Sequence, residues 1–249
     1  MDTSVKISII TPTYNSAKTV RDTLNSVLAQ NYTNLEHIIV DGKSTDDTLA
    51  IVNEYKEKAP YEVRIVSEKD NGIYDAMNKG IGLATGELVG IINSDDWYEP
   101  DAIEKTLRTY QHQKYEIVYG MIRIYQDEKI SEIQFYSHEF MLQHMICHPS
   151  CFVTKATYED LGTFDLKYRS SSDYDWMLKR YSEGKTTFST NYDMIANMRA
   201  GGMSGSNLGY RETLKLQLEY HQIPKSYFWF YTIKSHIGDI VRKIHSVRF

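Results

Sequence analysis

Two adjacent carboxylates, Asp95 and Asp96, follow almost directly on an apolar run, Leu88 to Ile92, in a chain of 249 residues. A strand that empties into neighbouring Asp side chains sets like charges together while half removing them from water. A divalent cation or a ring of hydrogen-bond donors is the usual compensation. The segment Asn93-Ser94-Asp95-Asp96 is therefore a candidate site for a divalent metal, Mn2+ or Mg2+, that neutralises the charge growing on a departing diphosphate. The alternative is capping, because Pro100-Asp101-Ala102 reads as a helix start that one Asp could serve.

A second acidic cluster is Ser171-Ser172-Asp173-Tyr174-Asp175-Trp176. A carboxylate near a helix N-terminus is held ionised by exposed backbone N–H groups, and an ionised carboxylate in a cleft is a competent general base. An N-cap is the competing reading. Asp41, after a strand, can accept from a ring N–H or a ribose hydroxyl, or cap the next helix, although Ser44 and Thr45 already offer capping oxygens. Asp75 and Lys79 stand four apart and share a helix face, either as a solvated pair or facing a pocket. His148 lies between the only two cysteines, Cys147 and Cys151. A zinc site would need a fourth ligand, and free thiols in a reducing compartment are the alternative.

The elements that must position these residues alternate. Val5 to Ile10 is strand-like, and Val20, Leu24, Val27 and Leu28 share a helical face. Leu35 to Val40 repeats the strand signal, and Ser44-Thr45-Asp46-Asp47 resembles a capping box before a helix bearing Leu49, Val52 and Tyr55. Val63 to Val66 is a third strand, and 72–85 a helix with Ile73, Met77 and Ile81 on one stripe. This order predicts a parallel sheet covered on both faces, with ligands at the edge where Thr11 to Asn15, Asp41 to Ser44, Ser67 to Gly72 and Asn93 to Trp97 lie. Beyond Tyr110 the signals become short strands, Ile117 to Tyr119, Ile122 to Tyr125 and Ile133 to Tyr136, with a turn at 126–129. A helix around Asp173 to Ser182 follows, then strands near Thr187 and from Met194 to Met198.

The net charge of −5 argues against a general nucleic-acid binder, which needs a basic surface. With no charged-then-apolar leader and no apolar run long enough to cross a bilayer, a cytoplasmic location is expected. The tail differs from the rest. Lys225, Lys234, Arg242, Lys243 and Arg248 face one acid, Asp239, and Phe230, Ile233, Ile237, Ile240, Val241 and Ile244 recur at helical spacing behind Tyr227, Phe228, Trp229 and Tyr231. This predicts an amphipathic helix, peripheral on an anionic membrane surface, or else docked on the protein's own core or in a homodimer seam.

Taken together the chain resembles the family 2 glycosyltransferases, the inverting group with the GT-A fold that often builds bacterial surface polysaccharides. The resemblance rests on Ile9-Ile10-Thr11-Pro12-Thr13-Tyr14-Asn15, Val40-Asp41-Gly42-Lys43-Ser44-Thr45-Asp46, the run Asp70 to Gly80, and Asn93-Ser94-Asp95-Asp96. His148-Pro149-Ser150, Gly162-Thr163-Phe164-Asp165 and Asp173-Tyr174-Asp175-Trp176 extend it more weakly to about residue 205. It implies an α/β GT-A domain over 1–205, with a mostly parallel central sheet flanked by helices and a smaller mixed sheet. A nucleotide-binding half, 1–110, would precede an acceptor half, 111–205, and a helical extension, 206–249, would follow.

The same resemblance implies that Thr11, Pro12, Thr13, Tyr14, Asn15 and Asp41 cradle the nucleoside of a sugar donor, with Asp70, Asp75, Lys79 and Asn93 lining its pocket. Asp95 would meet ribose or metal, and Asp96 the metal. Asp173 is the implied base, with Asp175 second, and His148 and Arg199 would bind acceptor or phosphate. Asn93 departs from the family's first Asp and Ser172 from its Glu. The implied reaction is one in-line displacement by a saccharide or lipid-linked hydroxyl on a UDP-sugar, with inversion. A non-catalytic nucleotide-sugar-binding module would lack the base. A nucleotidyltransferase should carry a Gly-rich, basic loop after its first strand, and Thr11-Pro12-Thr13-Tyr14-Asn15 has neither feature.

Overall fold

The structure, a computed structural model, describes residues 4–202 and 206–246. Its elements in chain order are β1 (Ile7–Thr13), α1 (Val20–Leu28), β2 (Leu35–Asp41), α2 (Thr48–Lys58), β3 (Glu62–Ser67), α3 (Ile73–Leu83), β4 (Leu88–Ile91) and β5 (Trp97–Tyr98). Then come α4 (Ala102–Thr109), β6 (Glu116–Gln126), β7 (Lys129–Gln134), β8 (Phe152–Thr154), α5 (Lys155–Leu161), α6 (Ser172–Glu183), β9 (Thr187–Arg199), α7 (Asn207–Glu219) and α8 (Lys225–Ser246).

β1 and β2 are buried at every one of their seven positions. Burial at every position fits a parallel sheet with both faces covered rather than a half-solvated one, and the polar members Ser8, Glu36 and His37 are hydrogen-bonded within it. Strands β3, β2, β1 and β4 are parallel neighbours, as the alternating sequence predicts. The mixed strands are continuous with them in a sheet ordered β3-β2-β1-β4-β8-β6-β9-β5, with β7 on β6. β8 runs antiparallel to both β4 and β6, whereas β9 runs parallel to β6. The two short runs read on either side of Gly120 are one strand, β6, bent by register shifts at Tyr119–Ile122. The runs near Thr187 and Met194 likewise merge into β9. The turn expected at 126–129 forms with Asp127 and Glu128 both left-handed, the geometry of a tight hairpin.

One core cluster runs from Ile10, Ile38 and Val40 to Tyr174, Trp176 and Leu178, joining the parallel strands to α6. Another gathers Ile7, Ile9, Leu88, Phe152 and Ile195, and a third packs Val20, Leu24 and Val52 on Ile39. α3 approaches β1 so closely that a Cβ at Gly80 would stand 2.4 Å from Ile10 Cγ2. Only glycine fits there, and a larger side chain would overpack the joint. Behind β1 and β2, His37 is wholly buried between Thr11 Oγ1, 2.9 Å from Nε2, and Tyr55 OH, 2.7 Å from Nδ1. Burial pushes its imidazole down to about 3, so the ring is neutral.

Candidate functional site

β4 ends at Ile91, and Asn93–Asp96 form a turn closed by Asp96 N donating to Asn93 O at 3.1 Å. From α1, Thr23 Oγ1 donates to the carbonyls of Asn93 (3.2 Å) and Asp96 (2.6 Å), fixing that turn from behind. The helix at Pro100-Asp101-Ala102 is α4, but β5 intervenes and pairs with β9. Neither Asp95 nor Asp96 therefore caps it. The β5–β9 pairing instead delivers Arg199, whose backbone N–H donates to Asp96 Oδ1 at 3.0 Å. Its guanidinium donates to Asp95 O (2.7 Å) and Asp22 Oδ2 (2.6 Å) and lies 4.7 Å over the Trp97 ring.

Asp96 is 2% exposed and receives one further bond, from Asn93 Nδ2 at 3.3 Å. Burial first, and the Asp95 carboxylate beside it second, push its pKa up to about 8. Burial also raises Asp95, against the pull of Arg199. Asn93 Oδ1 is buried with no hydrogen-bond partner. Asp95, Asp96 and Asn93 thus set oxygen acceptors in one turn with few donors to meet them.

These groups line one cavity of about 640 Å³. Its walls include Pro12 and Thr13 at the end of β1, Tyr14 and Asn15 just after it, Asp70 and Gly72 before α3, and Ile73, Tyr74 and Met77 on α3. Met145, His148, Ser170, Asp173, Met198 and Arg199 close the other side. Of the predicted site residues, Pro12, Thr13, Tyr14, Asn15, Asp70, Asn93, Asp95, Asp96, His148, Asp173 and Arg199 come together here. Arg199 stands with the acidic pair.

Thr11, Asp41, Asp75, Lys79 and Asp175 do not line this cavity, each for a reason visible in its bonding. Thr11 points to His37. Asp41, fully buried, accepts from Thr13 Oγ1, Ser44 N, Ser44 Oγ and Ser67 Oγ, tying three loops together. Ser44 therefore serves Asp41 rather than a capping box, and Asp46 takes over at α2 by accepting from Thr48 N and Oγ1. Asp75 accepts from Asn71 N (2.8 Å) and pairs with Lys79 at 3.4 Å, while Lys79 also reaches Glu68. Asp175, 2% exposed, accepts from Lys179 Nζ at 2.6 Å.

Asp173 lies in the first turn of α6, whose N-cap is Ser171, so it is not the cap itself. Tyr74 OH donates to its Oδ1 at 2.8 Å, as does Tyr174 N at 2.9 Å. Both bonds fall on one oxygen. Burial, then the Asp173 charge, raise Tyr74 well above an ordinary phenol, so it remains a donor. His148, 7% exposed, is lowered by burial and partly restored by Asp173. Its flanking cysteines are not ligands with it. Cys151 Sγ turns to Cys147 O at 3.4 Å, and Cys147 is buried with its thiol pushed up to about 12. Among the described residues no group of three His, Cys, Asp or Glu side chains forms a metal cluster.

Sequence reading missed Glu212. From α7 its carboxylate accepts from the N–H groups of Arg169, Ser170 and Ser171 at 2.8–3.1 Å, holding the loop that leads into Asp173. Tyr74 was also missed. A Tyr one residue before a predicted site Asp carries no signal of the helix that it will touch 99 positions later.

The family described as Glycosyl transferase family 2 matches residues 8–195. A PGL/p-HBAD biosynthesis glycosyltransferase of Mycobacterium bovis is 29% identical over 210 residues, spanning 84% of this chain and 82% of that protein. S. aureus TarS 1-349 in complex with UDP-GlcNAc is similar over 94% of this chain and 73% of that one, with a TM-score of 0.71 and 19% identity. Against TarS 1-349 alone, the chain spans 64% of that structure's length. The mannosyltransferase PcManGT of Pyrobaculum calidifontis, in complex with GDP-Man and Mn2+, is similar over 90% of this chain and 67% of that one, with a TM-score of 0.63 and 20% identity. The cavity opens at the carboxyl ends of the parallel strands of a GT-A sheet, and with the match over residues 8–195 the chain belongs to glycosyl transferase family 2.

Proposed function

We propose that the protein transfers a sugar, with inversion, from a nucleotide-diphosphate donor, a UDP-sugar, to a hydroxyl of a saccharide or lipid-linked saccharide in polysaccharide biosynthesis. The observation that carries this reading is the division of one cavity between two kinds of acid. Asp95 and Asp96 stand with Asn93 Oδ1 at the end of β4, and Asp173, with one oxygen unbonded, stands at the start of α6. The nucleotide sugars bound by TarS and PcManGT support a donor of this class.

The oxygen set suits a divalent metal. Two carboxylates and an amide oxygen are hard ligands, and the unpartnered Asn93 Oδ1 is an acceptor awaiting a positive or donating group. Asp95, Asp96 and Asn93 would hold it, and Mn2+ with PcManGT supports the assignment. A bound divalent ion would supply charge neutralisation for the departing diphosphate.

The chain's own residues do the rest. Tyr14, Asn15 and Asp70 face the nucleoside, while Asp41 and Asp75 brace the loops that carry them. Arg199, anchored on Trp97 and Asp22, presents positive charge beside the diphosphate side. Tyr74 holds Oδ1 of Asp173, leaving Oδ2 to take the proton from the attacking hydroxyl. Neutral His148 and the apolar Met145 and Met198 line the space for the acceptor.

Isothermal titration of UDP, GDP and CDP, with and without Mn2+, into wild type and Asp96→Ala tests this. Metal-dependent binding of UDP, lost in the variant, is expected. Absence of nucleotide binding under every condition would overturn the proposal.

A further inference from the structure

α8 faces the wrong way for a helix that packs on its own protein. A surface helix buries its apolar stripe and shows its polar one, but here Ser235 and Asp239 are turned to α7. Arg211 Nη1 donates to Ser235 Oγ at 3.2 Å and to Asp239 Oδ2 at 2.6 Å, and Asn207 Nδ2 donates to Asp239 Oδ1. On the outward side Trp229, Phe230, Ile233 and Ile237 are all more than half exposed. Their spacing places them on one face. The core-docked alternative for this stripe is therefore excluded over 225–239. Ile240, Val241 and Ile244, which continue the spacing, lie outside the described side chains.

Charge selects the occupant. The helix's acid is tied to Arg211 and Asn207, whereas Lys225 and Lys234 are exposed, on a chain of net charge −5. Trp229 and Tyr227 add rings of the kind that rest at a headgroup boundary. Among the described residues no helix is long and apolar enough to cross a membrane. We propose that α8 lies in the plane of an anionic lipid surface, with Trp229, Phe230, Ile233 and Ile237 inserted and Lys225 and Lys234 against the headgroups. This does not rest on the proposed reaction.

The test is co-sedimentation of the full chain with phosphatidylglycerol-containing vesicles and with neutral phosphatidylcholine vesicles, alongside light scattering in solution. Binding to the anionic vesicles about tenfold or more above the neutral ones is expected. It should be abolished in Trp229→Ser/Phe230→Ser and weakened about fivefold in Lys234→Gln. Since these side chains are exposed, the variants should keep wild-type UDP titrations and unfolding curves. Failure to sediment with either vesicle would overturn the proposal. Equal binding to both would overturn the anionic assignment. A solution dimer that Phe230→Ser/Ile233→Ser dissociates would give the face to a second copy instead.

Discussion

At the end of β2, Asp41 is fully buried and receives four hydrogen bonds. At the end of β4, Asp96 is buried almost as completely, receives two, and has a second carboxylate beside it. Both strands flank β1, so the two acids stand at the same edge of the sheet, Asp41 as the last residue of its strand and Asp96 in the turn that follows its own. Burial therefore does not distinguish the two acids; the supply of donors does. On the proposed function, the saturated carboxylate braces the fold and the under-supplied one is completed by a ligand. Asp173, with both of its bonds on one oxygen, belongs with Asp96.

The most direct way to break this contrast is Asp173→Asn, which should lower turnover about a hundredfold to ten-thousandfold with nucleotide binding intact. A rate within a few fold of wild type would remove Asp173 from the chemistry. Asp96→Asn should weaken metal-dependent nucleotide binding on the order of tenfold to a hundredfold, while urea unfolding of the free protein shows no loss of stability. Asp41→Asn should do the reverse. By setting an amide N–H against existing donors it should cost about 3 kcal/mol in urea unfolding, and nucleotide affinity should fall only as the fold weakens.

A smaller effect sharpens the side that braces the fold. His37 has a folded pKa of about 3, depressed from 6.5 by burial. Its contribution is fully present above pH 6.5 and is lost as pH falls through that window, because the unfolded state takes up the proton first. Its share of the acid slope is about 1.4 kcal/mol per pH unit at most. His37→Gln, which keeps a partner for Thr11 and Tyr55, should flatten denaturation midpoints between pH 6 and 4, roughly the window those values define; an unchanged slope would show another group responsible. Smallest of all, Glu212→Gln should reduce turnover several-fold through loosening of the 169–171 loop, with KM for the donor unmoved.

Much of this was legible in the sequence because it is written locally. Strand runs such as Leu35 to Val40, and the polar loop after each, lie where the alternation places them. The 93–96 acids read as a site and line the cavity. Asp41 and Asp75 also read as ligands beside a capping or ion-pair alternative, and nothing in the sequence pattern says that Ser67 or Asn71 would claim them first. The strand β8, only three residues long, and β5, only two, are set by pairing with distant partners rather than by their own pattern. Tyr74 and Glu212 act across gaps of 99 and about 40 positions, where periodicity carries no information.

Glu212 has a practical consequence for anyone cutting this chain. It lies past residue 195, where the family match stops, yet its carboxylate gathers three backbone N–H groups beside the candidate base. A fragment trimmed at 205 would keep the cavity walls and release that loop. On the proposed function, the family-matched portion is thus not a detachable cassette. Replacing this chain's tail would then replace part of the proposed site's scaffold with it, and a chimera that binds nucleotide yet turns over poorly would be the signature of a seam placed before α7.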